Sequence, residues 1–210
     1  MADTVRDYYS SFGRREWMRL DSAEGTIEFA TNCHYISTHL PVHARVLDIG
    51  GGPGRYALWL AERGHRVVLA DVSPALLAIA RQNVSASPAS EAIEAIVEAD
   101  ARDLSHWHDG SFDAVLSMGP FYHLTEPGDR DCAARELLRV LRPHGTAFIA
   151  LMPRYAFLRR TIALPDERGH LLQAEFLSQL LERGVFINDV PGRFTSGFGV
   201  LPDQITDFFE

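Results

Sequence analysis

The feature that most constrains the fold is a glycine-rich turn between two short apolar runs. The first run, residues 46–49, ends at Gly50, and the second, residues 67–70, ends at Asp71. A helical apolar pattern lies between them and closes at Gly64. This order predicts a strand, a helix and a second strand. Because glycine lets the backbone approach a ligand and a carboxylate accepts hydrogen bonds from ribose hydroxyls, the unit predicts a site for a nucleoside-bearing ligand.

The spacing of the glycines distinguishes between possible ligands. In a dinucleotide fingerprint counted from Gly50, the third small residue would fall at Arg55, which is too large for close packing of helix on strand. The glycines stand instead at positions 50, 52 and 54, with Asp48 two residues before the first. The stretch VLDIGGGPG closely resembles the first motif of class I S-adenosylmethionine-dependent methyltransferases, and Asp71 matches the acid at the end of that family's second strand.

The resemblance implies an α/β fold: a Rossmann-like three-layer sandwich around a mostly parallel sheet with strand order 3-2-1-4-5. It also implies S-adenosyl-L-methionine as the cofactor. The residues expected to bind it lie at strand ends and in the glycine turn, and are Asp48, Gly50, Gly51, Gly52, Gly54, Asp71, Val72, Asp100, Ala101, Arg102 and Met118. By the same resemblance, Asp100 occupies the place of an acid that hydrogen-bonds the adenine amino group.

A second motif, GPFYHL at residues 119–124, follows the expected fourth strand. It resembles a variant found in small-molecule methyltransferases of the ubiquinone- and menaquinone-biosynthesis type. Ligands of open α/β sheets bind beyond the carboxyl ends of the strands, so we expect Tyr122 and His123 to face the methionine end of the cofactor and the acceptor. His123 and Tyr122 are the candidate catalytic residues. His123 is a candidate base because its intrinsic pKa suits proton removal from a hydroxyl; orienting the loop by hydrogen bonding is the alternative for His123.

One domain is expected to cover the whole chain, 1–210, in three segments. These are a helical cap (1–44), a cofactor-binding core (45–151) and a helical or lid region (152–210). In the resembled family such an N-terminal extension crosses the cofactor mouth, so Tyr8 and Tyr9 are candidate lid residues. Anchoring of the terminus to the core is the alternative role for these aromatic side chains.

The C-terminal segment departs from the family pattern. A complete family sheet has seven strands, the last two in an antiparallel hairpin, whereas only five strands are predicted here, the fifth at residues 146–151. We expect the hairpin to be absent, residues 191–199 to form a mobile binding loop and residues 201–210 to begin an amphipathic helix. Either the chain is incomplete at its C-terminus, or the exposed edge of strand five is covered by another contact such as a homodimer.

The charge of the chain limits its partners. There are 28 acidic and 20 basic residues, which gives a net charge of −8 and disfavours binding to a phosphate backbone. No Asn-Pro-Pro-Tyr run follows strand four, so amino-methylation of nucleic acid is disfavoured and no nucleic-acid partner is expected. Arg154, Arg159 and Arg160 are interpreted as a solvated helix face.

Membrane and metal partners are not expected either. No apolar run approaches the roughly 20 residues that span a bilayer, and the N-terminus lacks the apolar core of a secretory signal, so a cytoplasmic location is expected. Cys33 and Cys132 stand in no metal-ligand spacing. His106 and His108 have no third ligand nearby in the sequence, so we expect no metal.

The sequence therefore predicts an S-adenosyl-L-methionine-dependent methyltransferase acting on a small-molecule acceptor. One alternative is a non-catalytic or truncated cofactor-binding protein. The other is a nicotinamide-dependent oxidoreductase, which Arg55 and the tight glycine spacing argue against.

Overall fold

The chain folds around a sheet of five parallel strands, and the structure, a computed structural model, describes residues 2–190 and 192–209. The strands are β1 (Arg45–Ile49), β2 (Arg66–Asp71), β3 (Ile93–Glu98), β4 (Phe112–Ser117) and β5 (Leu141–Ile149). They lie in the order β3-β2-β1-β4-β5, and every neighbouring pair is parallel. The predicted fold class and strand order are confirmed.

Helices cover both faces of this sheet, which explains why its central strands are continuous apolar runs. One face carries α3 (Ala23–His39), α4 (Arg55–Ala61) and α5 (Pro74–Ser85), and the other carries α6 (Pro127–Val140). Successive residues of β1 point to opposite faces: Val46 packs in the cluster with α3, α4 and α5, whereas Leu47 packs in the cluster with α6. This arrangement gives the three layers.

Two short helices precede α3 and lie beside the core. They are α1 (Ala2–Phe12) and α2 (Arg14–Arg19), separated by Gly13 with a φ of 55°. The hydroxyl oxygen of Ser10 is 3.2 Å from that of Ser73, which caps the start of α5. These contacts hold α1 near the end of β2, where the cofactor is expected.

The C-terminal segment forms a second, smaller sheet. Its elements are β6 (Met152–Pro153), α7 (Arg154–Ala163), α8 (Ala174–Arg183), β7 (Val185–Ile187), β8 (Ser196–Val200) and α9 (Asp203–Phe209). The sheet order is β6-β8-β7, with β7 and β8 antiparallel. The expected binding loop at 191–199 is therefore corrected: its second half is strand β8, because Phe198 packs under the Arg130 guanidinium and Gly197 and Gly199 are buried. Residue 191 lies outside the described residues.

Two further expectations for this half of the chain were wrong in detail. Strand β5 begins at Leu141 rather than at residue 146, and it contains His144 at a φ of 64° together with a register irregularity against β4. Arg154 is buried rather than solvated, because its guanidinium donates to the carbonyl oxygens of Leu181 and Gly199. The main sheet ends at β5, as expected, but the sequence predicted no strand after β5, whereas β7 and β8 form an antiparallel pair in the second sheet. None of the helices in the described residues is both long and apolar enough to span a bilayer.

Candidate active site

A pocket lies at the carboxyl ends of the central strands, and its empty space together with the open solvent at its mouth measures about 1150 Å³. Of the predicted cofactor-binding residues, all except Gly54 line it, and Tyr122 and His123 line it as well. The fold therefore brings together residues that are up to 75 positions apart in the chain, from Asp48 to His123. They meet at one edge because parallel strands present their carboxyl ends on the same side.

The glycine turn forms one wall of the pocket in a conformation that side chains would disrupt. The N–H groups of Gly50 and Gly51 both donate to the carbonyl oxygen of Ala70, at 2.8 and 3.1 Å, which ties the turn to β2. A Cβ atom on Gly50 would stand 2.5 Å from Cδ of Pro120. A Cβ atom on Gly51 would stand 2.6 Å from Oδ2 of Asp48. The turn therefore needs glycine at both positions.

Gly54 has a packing function instead. It begins α4 at a φ of 90°, and a Cβ atom there would stand 3.1 Å from Cδ1 of Leu69 in β2. It is absent from the pocket lining. Gly54 thus allows α4 to lie close to the sheet, which is the role of the last glycine in a dinucleotide fingerprint.

Asp71, at the end of β2, is fixed by two main-chain hydrogen bonds. Its Oδ2 accepts from the N–H of Gly52 at 2.9 Å, and its Oδ1 accepts from the N–H of Ser73 at 2.8 Å. Burial raises the pKa of this carboxyl to about 6, although those hydrogen bonds act in the opposite direction. Because each carboxylate oxygen has a second lone pair, Asp71 can accept from ribose hydroxyls while it holds the turn.

Asp48, unlike Asp71, is not held by main-chain hydrogen bonds of this kind. Its side chain is 0% exposed, and neither carboxylate oxygen has a hydrogen-bond partner among the described residues. Burial and the neighbouring Asp71 raise its pKa to about 7, while the nearby main chain of Ala57 acts in the opposite direction. A buried carboxylate without partners calls for a donor from a ligand or from water. Its position in the pocket lining fits the cationic methionine end of the expected cofactor.

Asp100, after β3, is held by the side chain of Arg102. Its Oδ1 accepts from the main-chain N–H and the Nε of Arg102, and its Oδ2 accepts from Nη2 at 2.6 Å. Arg102 also donates to Asp129 in α6. Burial would raise the pKa of Asp100, but the hydrogen bonds from Arg102 outweigh it and hold the pKa below its usual value. Asp100 is thus a fixed acceptor at the expected adenine end.

His123 is buried and neutral at the other end of the pocket. Its Nε2 is 2.9 Å from the hydroxyl oxygen of Tyr9, and its Nδ1 has no hydrogen-bond partner that the described residues supply. Burial lowers the pKa of this imidazole to about 4, and the main chain of Ser196 acts in the opposite direction. The ring of Tyr122 packs against it with the centroids 4.8 Å apart. A neutral imidazole can accept a proton, so the geometry is compatible with either predicted role.

The central part of the chain matches a known family. Residues 46–145 match the family model described as a methyltransferase domain. These residues form a methyltransferase domain. The predicted resemblance to class I S-adenosylmethionine-dependent methyltransferases is confirmed.

Known relatives of this methyltransferase domain include proteins that act on different acceptor atoms. A ubiquinone biosynthesis O-methyltransferase of Xanthomonas oryzae pv. oryzae is 31% identical over 158 residues, which are 71% of this chain and 57% of the relative. A cypemycin N-terminal methyltransferase of a Streptomyces species is 36% identical over 146 residues, 66% of this chain and 56% of the relative. The chain thus spans little more than half the length of these relatives.

Solved structures share the fold. A SAM-dependent methyltransferase of Methanosarcina mazei superposes with a TM-score of 0.67 at 21% sequence identity, covering 83% of this chain and 81% of that one. Within the described part of the methyltransferase domain and its flanking segments, no group of three or more His, Cys, Asp or Glu side chains is placed to hold a metal ion.

The N-terminal segment adds further residues to the pocket of the methyltransferase domain. Tyr9, a candidate lid residue from the sequence, lines it, and so do Glu16, Arg19 and Leu20, to which the sequence did not point. Tyr8, the other candidate lid residue, instead packs against Phe12 and against Phe194 of the C-terminal segment. The one available signal was an acid and an arginine three residues apart on a short helix, which is a common surface pattern and therefore carries little information.

Proposed function

We propose that the chain is an S-adenosyl-L-methionine-dependent methyltransferase that methylates a small-molecule acceptor. The observation that carries the proposal is the pair of buried acids beside the glycine turn, Asp48 and Asp71. A ligand with a ribose and positive charge complements two buried carboxylates. The anionic pyrophosphate of a nicotinamide cofactor would be repelled at the same place, which disfavours the oxidoreductase alternative.

Each part of the pocket has a task in such a reaction. When bound, the cofactor supplies an electrophilic methyl group on a sulfonium. The turn at Gly50–Gly52 lets the main chain approach the ligand, and Asp71 accepts hydrogen bonds from its ribose. Met118 and Tyr122, beyond β4, exclude water from the methionine end. His123 accepts the acceptor's proton, either directly or through the Tyr9 hydroxyl.

The acceptor is proposed to be a small molecule with a hydroxyl or amine group. The acceptor end of the pocket is lined by the aromatic side chains of Tyr9 and Tyr122 and by neutral His123, which suits a largely apolar molecule. The net charge of −8 disfavours a nucleic acid. One relative is an O-methyltransferase and the other an N-terminal methyltransferase, so the family alone does not choose between oxygen and nitrogen.

Two measurements test this proposal. Calorimetric titration should show one S-adenosylhomocysteine per chain, bound in the micromolar range, and no binding of NADH. Incubation with tritiated S-adenosylmethionine and a cell extract should place the label in low-mass metabolites. Binding of NADH alone would contradict the cofactor assignment, and label found only in RNA or protein would contradict the acceptor class. Cofactor binding without any methyl transfer would favour the non-catalytic alternative.

A further inference from the structure

In the turn after β3, one arginine side chain fixes the orientation of one acid. The main-chain N–H and the Nε of Arg102 donate to Oδ1 of Asp100 at 2.9 and 3.0 Å, and Nη2 donates to Oδ2 at 2.6 Å. Both side chains line the pocket. A planar guanidinium that donates through two nitrogens fixes the plane of a carboxylate as well as its position. The direction in which Asp100 presents its lone pairs is therefore set by Arg102.

Helix α6 holds Arg102 in turn. Nη1 of Arg102 donates to Oδ2 of Asp129, in the first turn of that helix, at 3.0 Å. Sγ of Cys132, further along the same helix, donates to the main-chain carbonyl oxygen of Arg102 at 3.2 Å. Because each of the three guanidinium nitrogens has a carboxylate partner, Arg102 serves as a support for these acids rather than as a cation that awaits a ligand.

The bonds from Arg102 leave Asp100 one acceptor position for a ligand. An ionised carboxylate has about four lone-pair positions, two on each oxygen. Two hydrogen bonds end on Oδ1 and one on Oδ2, and no other donor among the described residues is hydrogen-bonded to either oxygen. Asp100 can therefore accept one more hydrogen bond, through Oδ2, and it has no proton to donate.

The order of the strands indicates which part of the cofactor meets Asp100. Asp71, the proposed ribose acceptor, ends β2, and β3 is the neighbour of β2 on the side away from β1 and β4. In the proposed function the methionine end lies beyond β4. A nucleoside whose ribose is held at β2 then has its base at the end of β3, where Asp100 lines the pocket. The only hydrogen-bond donor on the base of adenosine is the exocyclic amino group.

We propose that Arg102 is a positioning residue that directs Asp100 at the exocyclic amino group of adenine and so makes the site selective for a 6-aminopurine. The proposal rests on the proposed function and adds to it the residue that determines recognition of the base. Arg102 acts through Asp100 and not by touching the cofactor. Without its three bonds the carboxylate would rotate in a partly solvated position, and ordering it again would reduce the affinity for the amino group.

Calorimetric titration with two probes tests the proposal. The probes are S-adenosylhomocysteine and its analogue in which a hydrogen atom replaces the amino group of the base. Wild type should bind S-adenosylhomocysteine at least about tenfold more tightly, because the analogue leaves Asp100 without its donor. Arg102→Met should weaken S-adenosylhomocysteine about fivefold or more and the analogue less than about twofold. Arg102→Lys keeps the charge without the planar fork, so it should recover only part of the preference.

Arg139→Met is the matched control. Arg139 ties the same loop to α6 through the carbonyl oxygens of Leu104 and Trp107, at 2.9 and 2.8 Å, but it is not part of the pocket lining. The preference for S-adenosylhomocysteine in this variant should stay within about twofold of wild type. A loss of preference as large as that in Arg102→Met would show that the stability of the loop, and not the orientation of Asp100, governs recognition, and the proposal would be wrong.

Three other results would overturn the proposal. They are wild type binding both probes equally, Arg102→Met weakening both probes equally, and Arg102→Met keeping the preference of wild type. If Arg102→Met does not fold, Arg102→Lys decides, because it retains a positive charge between the two acids: its preference must fall at least about twofold below that of wild type, and an undiminished preference refutes the role of the fork. Failure of the wild type to bind either probe would instead refute the proposed function.

Discussion

Asp71 combines two tasks that are normally considered separately, since its carboxylate both fixes the glycine turn through Gly52 and offers lone pairs to the pocket. We expect Asp71→Asn to weaken S-adenosylhomocysteine binding by about 1–3 kcal/mol, because a charged acceptor is replaced by a neutral one with a single acceptor oxygen. Calorimetric titration measures this change. Asp189→Asn, at a position 90% exposed and far from the turn in sequence, is the control. An unchanged affinity in Asp71→Asn would mean that the ribose is held elsewhere.

His123 is distinguished from an ordinary buried histidine by its place in the pocket rather than by its burial. His170 is equally buried, and its Nε2 is hydrogen-bonded to Asn188 outside the pocket. If His123 accepts the acceptor's proton, His123→Gln should lower the methylation rate at least about tenfold while cofactor affinity changes less than twofold. His170→Gln should leave the rate per folded molecule unchanged. An unaltered rate in His123→Gln would leave His123 only the role of orienting the loop.

At the scale of the elements, the glycine turn can be tested by a single methyl group. In Gly51→Ala the new Cβ would meet Oδ2 of Asp48, so either the turn or the carboxylate must shift. We expect cofactor affinity to fall at least about tenfold and the free energy of unfolding to fall by about 1–3 kcal/mol. Gly128→Ala, in the first turn of α6 with nothing within 4 Å of the new Cβ, should be neutral or slightly stabilising. Titration and urea unfolding of both variants check this, and equal behaviour of the two would contradict it.

The elements that could be predicted from the sequence are those whose local residue pattern matches their position in the fold. The strands of the main sheet could be predicted from apolar runs and turn motifs, because buried parallel strands have a distinctive composition. Their order was implied by the resemblance to class I S-adenosylmethionine-dependent methyltransferases. Strand β8 could not be predicted in this way: its glycines, Gly197 and Gly199, resemble a loop, yet they are required because Cβ atoms there would meet Phe157 and the main chain of Arg154. Burial of Arg154 is likewise decided by carbonyl oxygens distant in sequence.

The candidate site also has a part that could be predicted from the sequence and a part that could not. The residues supplied by the core follow from its motifs and were brought into one pocket by the fold. Glu16 and Arg19 could not be anticipated, because their position depends on how α1 and α2 pack across the strand ends. That packing is set by scattered tertiary contacts, such as Tyr9 with His123 and Arg55 with Asp21, which have no local sequence signature.

For the whole molecule, the two buried acids make stability depend on pH. Asp48 and Asp71 have pKa values raised, chiefly by burial, to about 7 and about 6, so between about pH 4 and pH 7 the folded chain holds more protons than the unfolded chain. Their contribution to the free energy of unfolding therefore falls as pH rises through this window. The pKa of His123 is lowered to about 4, so the folded chain holds fewer protons on this side chain than the unfolded chain does between about pH 4 and pH 6.5. Its contribution to the free energy of unfolding therefore rises with pH in that range.

Asp48→Asn should remove most of the pH dependence that the two buried acids cause. The free energy of unfolding of the variant minus that of wild type should increase by about 1–3 kcal/mol from pH 5 to pH 8, because wild type must keep a charge buried at the higher pH. Urea unfolding of both proteins at the two pH values measures this difference. The same gain in a Asp189→Asn control, or no gain in Asp48→Asn, would show that the buried carboxyl does not titrate in this window.

Binding of a cationic cofactor should be linked to the same protons. A positive charge beside Asp48 and Asp71 favours their ionised forms, so it lowers their pKa values and releases protons between about pH 6 and pH 7. The affinity for S-adenosylmethionine should therefore rise, by about three- to tenfold, from pH 5.5 to pH 7.5, and Asp48→Asn should reduce this rise. Because released protons are taken up by the buffer, the apparent binding enthalpy at pH 6.5 should differ between phosphate and imidazole buffers. Identical enthalpies in the two buffers would mean that the cofactor leaves the protonation of these acids unchanged, and hence that its charge lies away from them.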